Sequence, residues 1–130
     1  MAFPGTYNFD YYRGDTFTFV ISPKDSTGTA FNLSAYKKTT SPTRDAIFTI
    51  ADARGSNRNF SLTSNGSSDL LASIDTGNNT ITCTITSDGG RDLEGGSTYY
   101  YDVEIYNGAT LRYTLLTGTI TVQDDVTGAV

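Results

Sequence analysis

Thr80-Ile81-Thr82-Cys83-Thr84-Ile85-Thr86 alternates without a break: Ile81, Cys83 and Ile85 fall on one side of an extended chain and four threonines on the other. Period-two alternation marks a strand with one dry and one wet face, and β-branched residues suit a pleated surface. The pattern returns on both sides of this stretch. Phe17, Phe19 and Ile21 oppose Thr16, Thr18 and Val20, while Tyr99, Tyr101, Val103 and Ile105 line one side of the run 99–106. Weaker candidates at 7–12, 46–51, 59–63, 70–74 and 111–123 bring the expected number to eight or nine short strands, which suits an antiparallel sandwich of two sheets.

Within 111–123 the apolar residues change parity. Leu111, Tyr113 and Leu115 are odd, whereas Leu116, Gly118, Ile120 and Val122 are even. A β-bulge near Leu116 to Gly118 would let both halves face one core. Asn65-Gly66, Gly77-Asn78, Asp88-Gly89 and Asn107-Gly108 supply residues that tolerate positive φ, and the last of these predicts a hairpin between the final two strands. The segment Ser34 to Asp45 holds Lys37, Lys38, three threonines and Pro42 with no periodicity of either kind. It is expected to be an irregular excursion that is mobile or reaches a partner.

With 130 residues the chain can build one hydrophobic core and not two, so a single domain is expected over 1–130, with its core at 7–127 and the excursion at 34–45. Gly, Ser and Thr fill 47 positions, a balance that disfavours long helices. There is no His, no Trp and one Cys, which removes the usual general base, zinc ligand sets and any intrachain disulfide. Cys83 is expected to be a reduced, small core residue. A net charge of −5, with the basic residues scattered, argues against nucleic acid as a partner. Met1-Ala2-Phe3-Pro4-Gly5 has neither a basic nor an apolar leader region, and no apolar run approaches the roughly 20 residues of a membrane span. The expectation is a soluble product that is not secreted and does not enter a membrane.

Candidate chemistry is sparse. Arg13-Gly14-Asp15 is the triplet that integrin ligands display, but between two aromatic-rich strands it reads better as a turn. Sequons at Asn32, Asn59, Asn65 and Asn78 follow from an Asn-, Ser- and Thr-rich composition. Asp88, Asp92 and Glu94, with Asp124 and Asp125, lack the alternating ligand pattern of a calcium loop and read as solvated turn carboxylates. Asp102 and Glu104 share an outward strand face, about 6 to 7 Å apart from the strand rise, where no cleft is expected. No activated nucleophile or base can be assembled, so the reading is of a non-enzyme with no cofactor and no metal.

The aromatic residues carry more. Tyr99 and Tyr101 face inward, and Tyr99, just after Leu93 and Gly96, is placed for a tyrosine-corner contact. Tyr12, Tyr100 and Tyr106 face outward, where tyrosine is favoured in interfaces. With Lys37, Lys38 and Arg112 they form the expected partner-contact set.

Several segments in order are familiar: Tyr11-Tyr12-Arg13-Gly14-Asp15-Thr16-Phe17, Phe31-Asn32-Leu33-Ser34-Ala35-Tyr36, Leu93-Glu94-Gly95-Gly96 leading to Tyr101-Asp102-Val103, Gly118-Thr119-Ile120-Thr121-Val122 and Asp125-Val126-Thr127. Their progression resembles the small immunoglobulin-like β-sandwich domain of tailed-phage structural proteins, such as the N-terminal domain of upper-baseplate and tail-fibre attachment proteins. The resemblance spans about 7–127. Where that family continues into a strand with an Ile-Arg pair, this chain has the irregular run Lys37 to Arg44. The resemblance implies a stand-alone virion component, made in the host cytoplasm, that docks on other tail, baseplate, neck or fibre proteins and repeats as a symmetric multimer. Alternatives are a head decoration protein of the same fold and a carbohydrate-binding adhesion module with a host glycan as ligand. The family is structural, so no catalytic residue carries over.

Overall fold

The fold is that of a computed structural model, which describes residues 5–34, 36, 46–55, 58–64, 68–107 and 111–124. Each alternating stretch contains a strand, those at 7–12 and 59–63 shorter than expected, and an unexpected two-residue strand precedes them: β1 (Gly5–Thr6), β2 (Phe9–Tyr12), β3 (Phe17–Ile21), β4 (Ala46–Ala51), β5 (Ser61–Thr63), β6 (Leu70–Asp75), β7 (Thr80–Ile85), β8 (Thr98–Asn107) and β9 (Leu111–Gln123). They make two sheets. The smaller runs β3-β7-β6 and is antiparallel throughout, and the larger runs β1-β9-β8-β4-β5, with β2 also on β9. The all-β expectation holds, with one difference in strand direction: β1 and β2 lie parallel to β9, at the edge of an otherwise antiparallel sheet.

The two dry faces meet in one core. Ile81, Cys83 and Ile85 of β7 are fully buried with Leu70, Ala72 and Ile74 of β6, and they face Phe48 and Ile50 of β4 and Tyr101, Val103 and Ile105 of β8. At its centre Phe48 meets Phe19 edge-on at 5.5 Å and Tyr101 edge-on at 5.9 Å, the geometry that ring quadrupoles favour. Cys83 is in this core, where burial pushes its thiol up to about 12. The native chain should therefore resist alkylation at mildly alkaline pH and react only once unfolded, as mass spectrometry of iodoacetamide-treated samples with and without denaturant would show.

The parity change in β9 resolves as read, slightly displaced. Val103 faces Leu116 and Glu104 faces Thr114, so the bulged residue is Leu115, one position before the expected span. Leu115 and Leu116 are consecutive and both turn toward the core, which only an extra residue permits. β8 and β9 are paired out to Asn107 and Leu111, as the hairpin expectation requires; the turn residues 108–110 lie outside the described residues. So does most of the Ser34 to Asp45 excursion, apart from Ser34 and Tyr36. Tyr36 is buried beside Phe31 and Tyr113.

Two turns depart from expectation. Between β6 and β7 the positive φ falls on Asn79 and not on Gly77 or Asn78. The Asp88-Gly89 pair is not in a turn but in a short helix, α1 (Ser87–Arg91), because the Thr86 side chain caps it by accepting from the Gly89 N–H at 3.1 Å. Gly89 must be glycine there, since a Cβ would strike the Asp69 carbonyl.

The Arg13-Gly14-Asp15 triplet is a structural turn. Asp15 N–H donates to the Tyr12 carbonyl at 3.1 Å and Gly14 takes a φ of 88°. The Arg13 guanidinium points back onto the fold, donating to the Leu93 carbonyl at 2.8 Å and the Arg91 carbonyl at 2.7 Å. Those bonds fix the segment after α1, from which Glu94 N–H donates to the Tyr99 hydroxyl at 2.9 Å. A tyrosine at the start of its strand thus ties back to backbone five residues upstream.

Candidate functional site

Inward residues of β8 and β4 are spent on the core, which leaves their alternates to shape the outer face of the larger sheet. Tyr100, Asp102, Glu104 and Tyr106 point outward along β8, flanked by Ala51, Thr49 and Ile47 of β4 and by Thr119, Thr117, Thr114 and Arg112 of β9. The β4–β5 connection then folds back over this face. Asp52 directs the return by accepting from Asn59 N–H at 2.9 Å and Phe60 N–H at 3.2 Å. A concavity of about 500 Å³ results, with Asp102 and Glu104 in its lining beneath Arg54, Arg58 and Arg112. This corrects the expectation that the two carboxylates lie where there is no cleft: strand alternation shows which side a residue faces, not what a loop places over it.

Three of the six expected contact residues come together here. Tyr100, 37% exposed, lies under the Arg54 guanidinium at 5.0 Å, and Arg54 reaches on to the Thr117 hydroxyl at 2.9 Å. Tyr106 lies under Arg112 at 5.3 Å, and Arg112 also pairs with Glu104 at 2.9 Å. That ion pair is largely exposed and contributes little by itself; together the contacts hold both guanidinium planes against aromatic rings. Tyr12, 58% exposed, shares the outer face but stands on the edge strand β2, beyond the threonine row of β9. Lys37 and Lys38 lie outside the described residues. Arg54 and Arg58 belong to the site and were missed, because nothing in their local sequence announces the turn that brings them over β8.

Asp102 is half-buried in the lining of the concavity. Burial raises its carboxyl above the ordinary aspartate range, Glu104 adds to the rise, and Arg54 and Arg58 oppose it. A carboxyl with a raised folded-state value takes up its proton sooner in the folded chain than in the unfolded one, so stability falls as pH rises through that raised value. Asp102→Asn should accordingly raise the melting temperature at neutral pH, and the gain should vanish in acid. A pair of melting curves across pH checks this.

The acidic residues in and after α1 are arranged differently from the loop read in the sequence. Asp88 pairs with Arg91 at 2.9 Å within α1. Among the described residues, no three or more acidic or cysteine side chains gather into a group able to hold a metal ion. Asp125 lies outside them. No helix among the described residues is long and apolar enough to cross a membrane. No protein-family model and no curated protein matches the sequence.

Proposed function

We propose that this chain is a structural component of a tailed-phage virion, an immunoglobulin-like module that docks on other tail, baseplate, neck or fibre proteins through the outer face of its larger sheet. The observation that carries the docking role is the pairing of Tyr100 with Arg54 and of Tyr106 with Arg112 around Asp102 and Glu104. Tyr and Arg are among the residue types most enriched at the energetic centres of protein interfaces, and here each guanidinium already sits over its ring before any partner arrives. The same geometry weighs against a glycan ligand, since a sugar would need the ring faces that the guanidinium groups cover.

Strand order supports the immunoglobulin-like part of the reading. In this reading the order β3-β7-β6 would match strands B, E and D of that architecture, and β9-β8-β4-β5 would match G, F, C and an added C′. Tyr99 holds the corner before the strand equivalent to F. Under this assignment Phe19, Phe48 and Tyr101, in mutual ring contact, would take the places of the disulfide and tryptophan of antibody domains. This role involves no catalysis.

Mass spectrometry of purified particles should find the chain at a fixed, symmetric copy number. Its absence from virions ends the structural reading. Tyr100→Ala combined with Arg112→Gln should keep the native circular dichroism spectrum and a cooperative melt and deplete the chain from particles, and full incorporation of that variant would move the docking surface elsewhere.

A further inference from the structure

Sheet edges expose unpaired backbone groups, and proteins ordinarily shield them with charge, proline or brevity. Three of the edge strands here follow that rule: β5 is three residues long, β2 carries Asp10, and β6 ends in Asp75. β3 does not. Phe17-Thr18-Phe19-Val20-Ile21 has no charge, proline or glycine, and among the described residues only β7 pairs with it. Val20 is 58% exposed on its wet face. Beside the open edge runs an apolar groove of about 370 Å³ lined by Tyr7, Phe19, Val20, Ile21 and Leu116.

We infer that this edge is a homotypic pairing surface, on which β3 of a second copy lies antiparallel around a two-fold axis at Phe19. Charge selects a second copy as the occupant. A chain of net charge −5 repels a second copy of itself, and contact through the β2 or β6 edge would add aspartates to that repulsion. The β3 edge brings none. It is also self-complementary: antiparallel pairing about Phe19 sets Thr18 opposite Val20 of the second copy, and the reverse, giving two β-branched pairs on the wet face. The neighbouring wet-face residues Thr82, Thr84, Leu71 and Ser73 are uncharged as well. The product is one continuous six-stranded sheet, β6-β7-β3-β3-β7-β6. The inference does not depend on the virion role and is measured on the isolated chain.

Sedimentation equilibrium of the purified protein up to about 1 mM, the weak end of specific association, should show a dimer. Val20→Lys should give a monomer whose melting temperature matches the wild type at low micromolar concentration, where the wild type is also dissociated, because Val20 packs little in the isolated fold. In the pair the two residues 20 are diagonal neighbours on one face, within reach of long side chains. Mixing Val20→Lys with Val20→Glu should therefore restore a dimer containing one of each. A monomeric wild type, a dimer that survives Val20→Lys, or a mixture that stays monomeric would each overturn the inference.

Discussion

Phe48→Ala should cost about 3–5 kcal/mol, a large part of the roughly 5–15 kcal/mol that holds a domain of this size folded. Phe48 is fully buried in β4, where both the Phe19 ring of the opposite sheet and the Tyr101 ring of β8 stand edge-on to it. Removing it deletes the transfer energy of one large side chain and leaves a cavity between two strands pinned by their own ladders. β4 is bonded to both β5 and β8, so it cannot move in to close the gap. With about 3 °C lost per kcal/mol at this chain length, the melting temperature should fall by roughly 10–15 °C. Urea titration followed by circular dichroism measures the loss, and Val20→Ala on the wet face should stay within about 0.5 kcal/mol of wild type. A small effect at Phe48 would mean that the sheets do not meet through these rings.

What could be read in advance follows from which features are local. Alternation is local, so Thr80–Ile85 and Phe17–Ile21 were legible, as was the outward set Tyr12, Tyr100 and Tyr106. Even the bulge was visible, because two adjacent leucines cannot both face a core from a regular strand. Pairing partners are not local. Nothing in Gly5–Tyr12 tells that it will lie parallel to β9, since any strand with one apolar face could take that edge. The two glycines of α1 read locally as a turn, and only the Thr86 cap distinguishes the segment as a helix. The site was half legible for the same reason. Its tyrosines and Arg112 follow from strand parity, whereas Arg54 and Arg58 arrive through a loop whose path is set by the Asp52 contacts to Asn59 and Phe60.

The parallel edge supplies the second large effect, at Gly118. Tyr101 is buried, and its hydroxyl needs a partner there; it donates to the Tyr7 carbonyl at 2.6 Å. To accept that bond the Tyr7 peptide turns inward from the edge strand and passes directly over Gly118, where a Cβ would collide with the Tyr7 carbonyl oxygen. The vacated ladder position on Thr119 N–H is filled by the Asn8 side-chain oxygen at 2.9 Å. Gly118→Ala therefore forces a choice between lifting β1 and β2 off β9 and abandoning the Tyr101 hydroxyl in the core. The expected cost is about 2–5 kcal/mol, combining overpacking with a lost buried hydrogen bond. Tyr101→Phe alone should cost about 1–2 kcal/mol. Because both changes act through one carbonyl, they should not add: with the hydroxyl gone, Tyr7 is free to swing away from the new methyl group, and the double variant should be more stable than the sum of the single losses predicts. Four urea curves complete the cycle, and strict additivity would show that the Tyr7 carbonyl does not link the two sites.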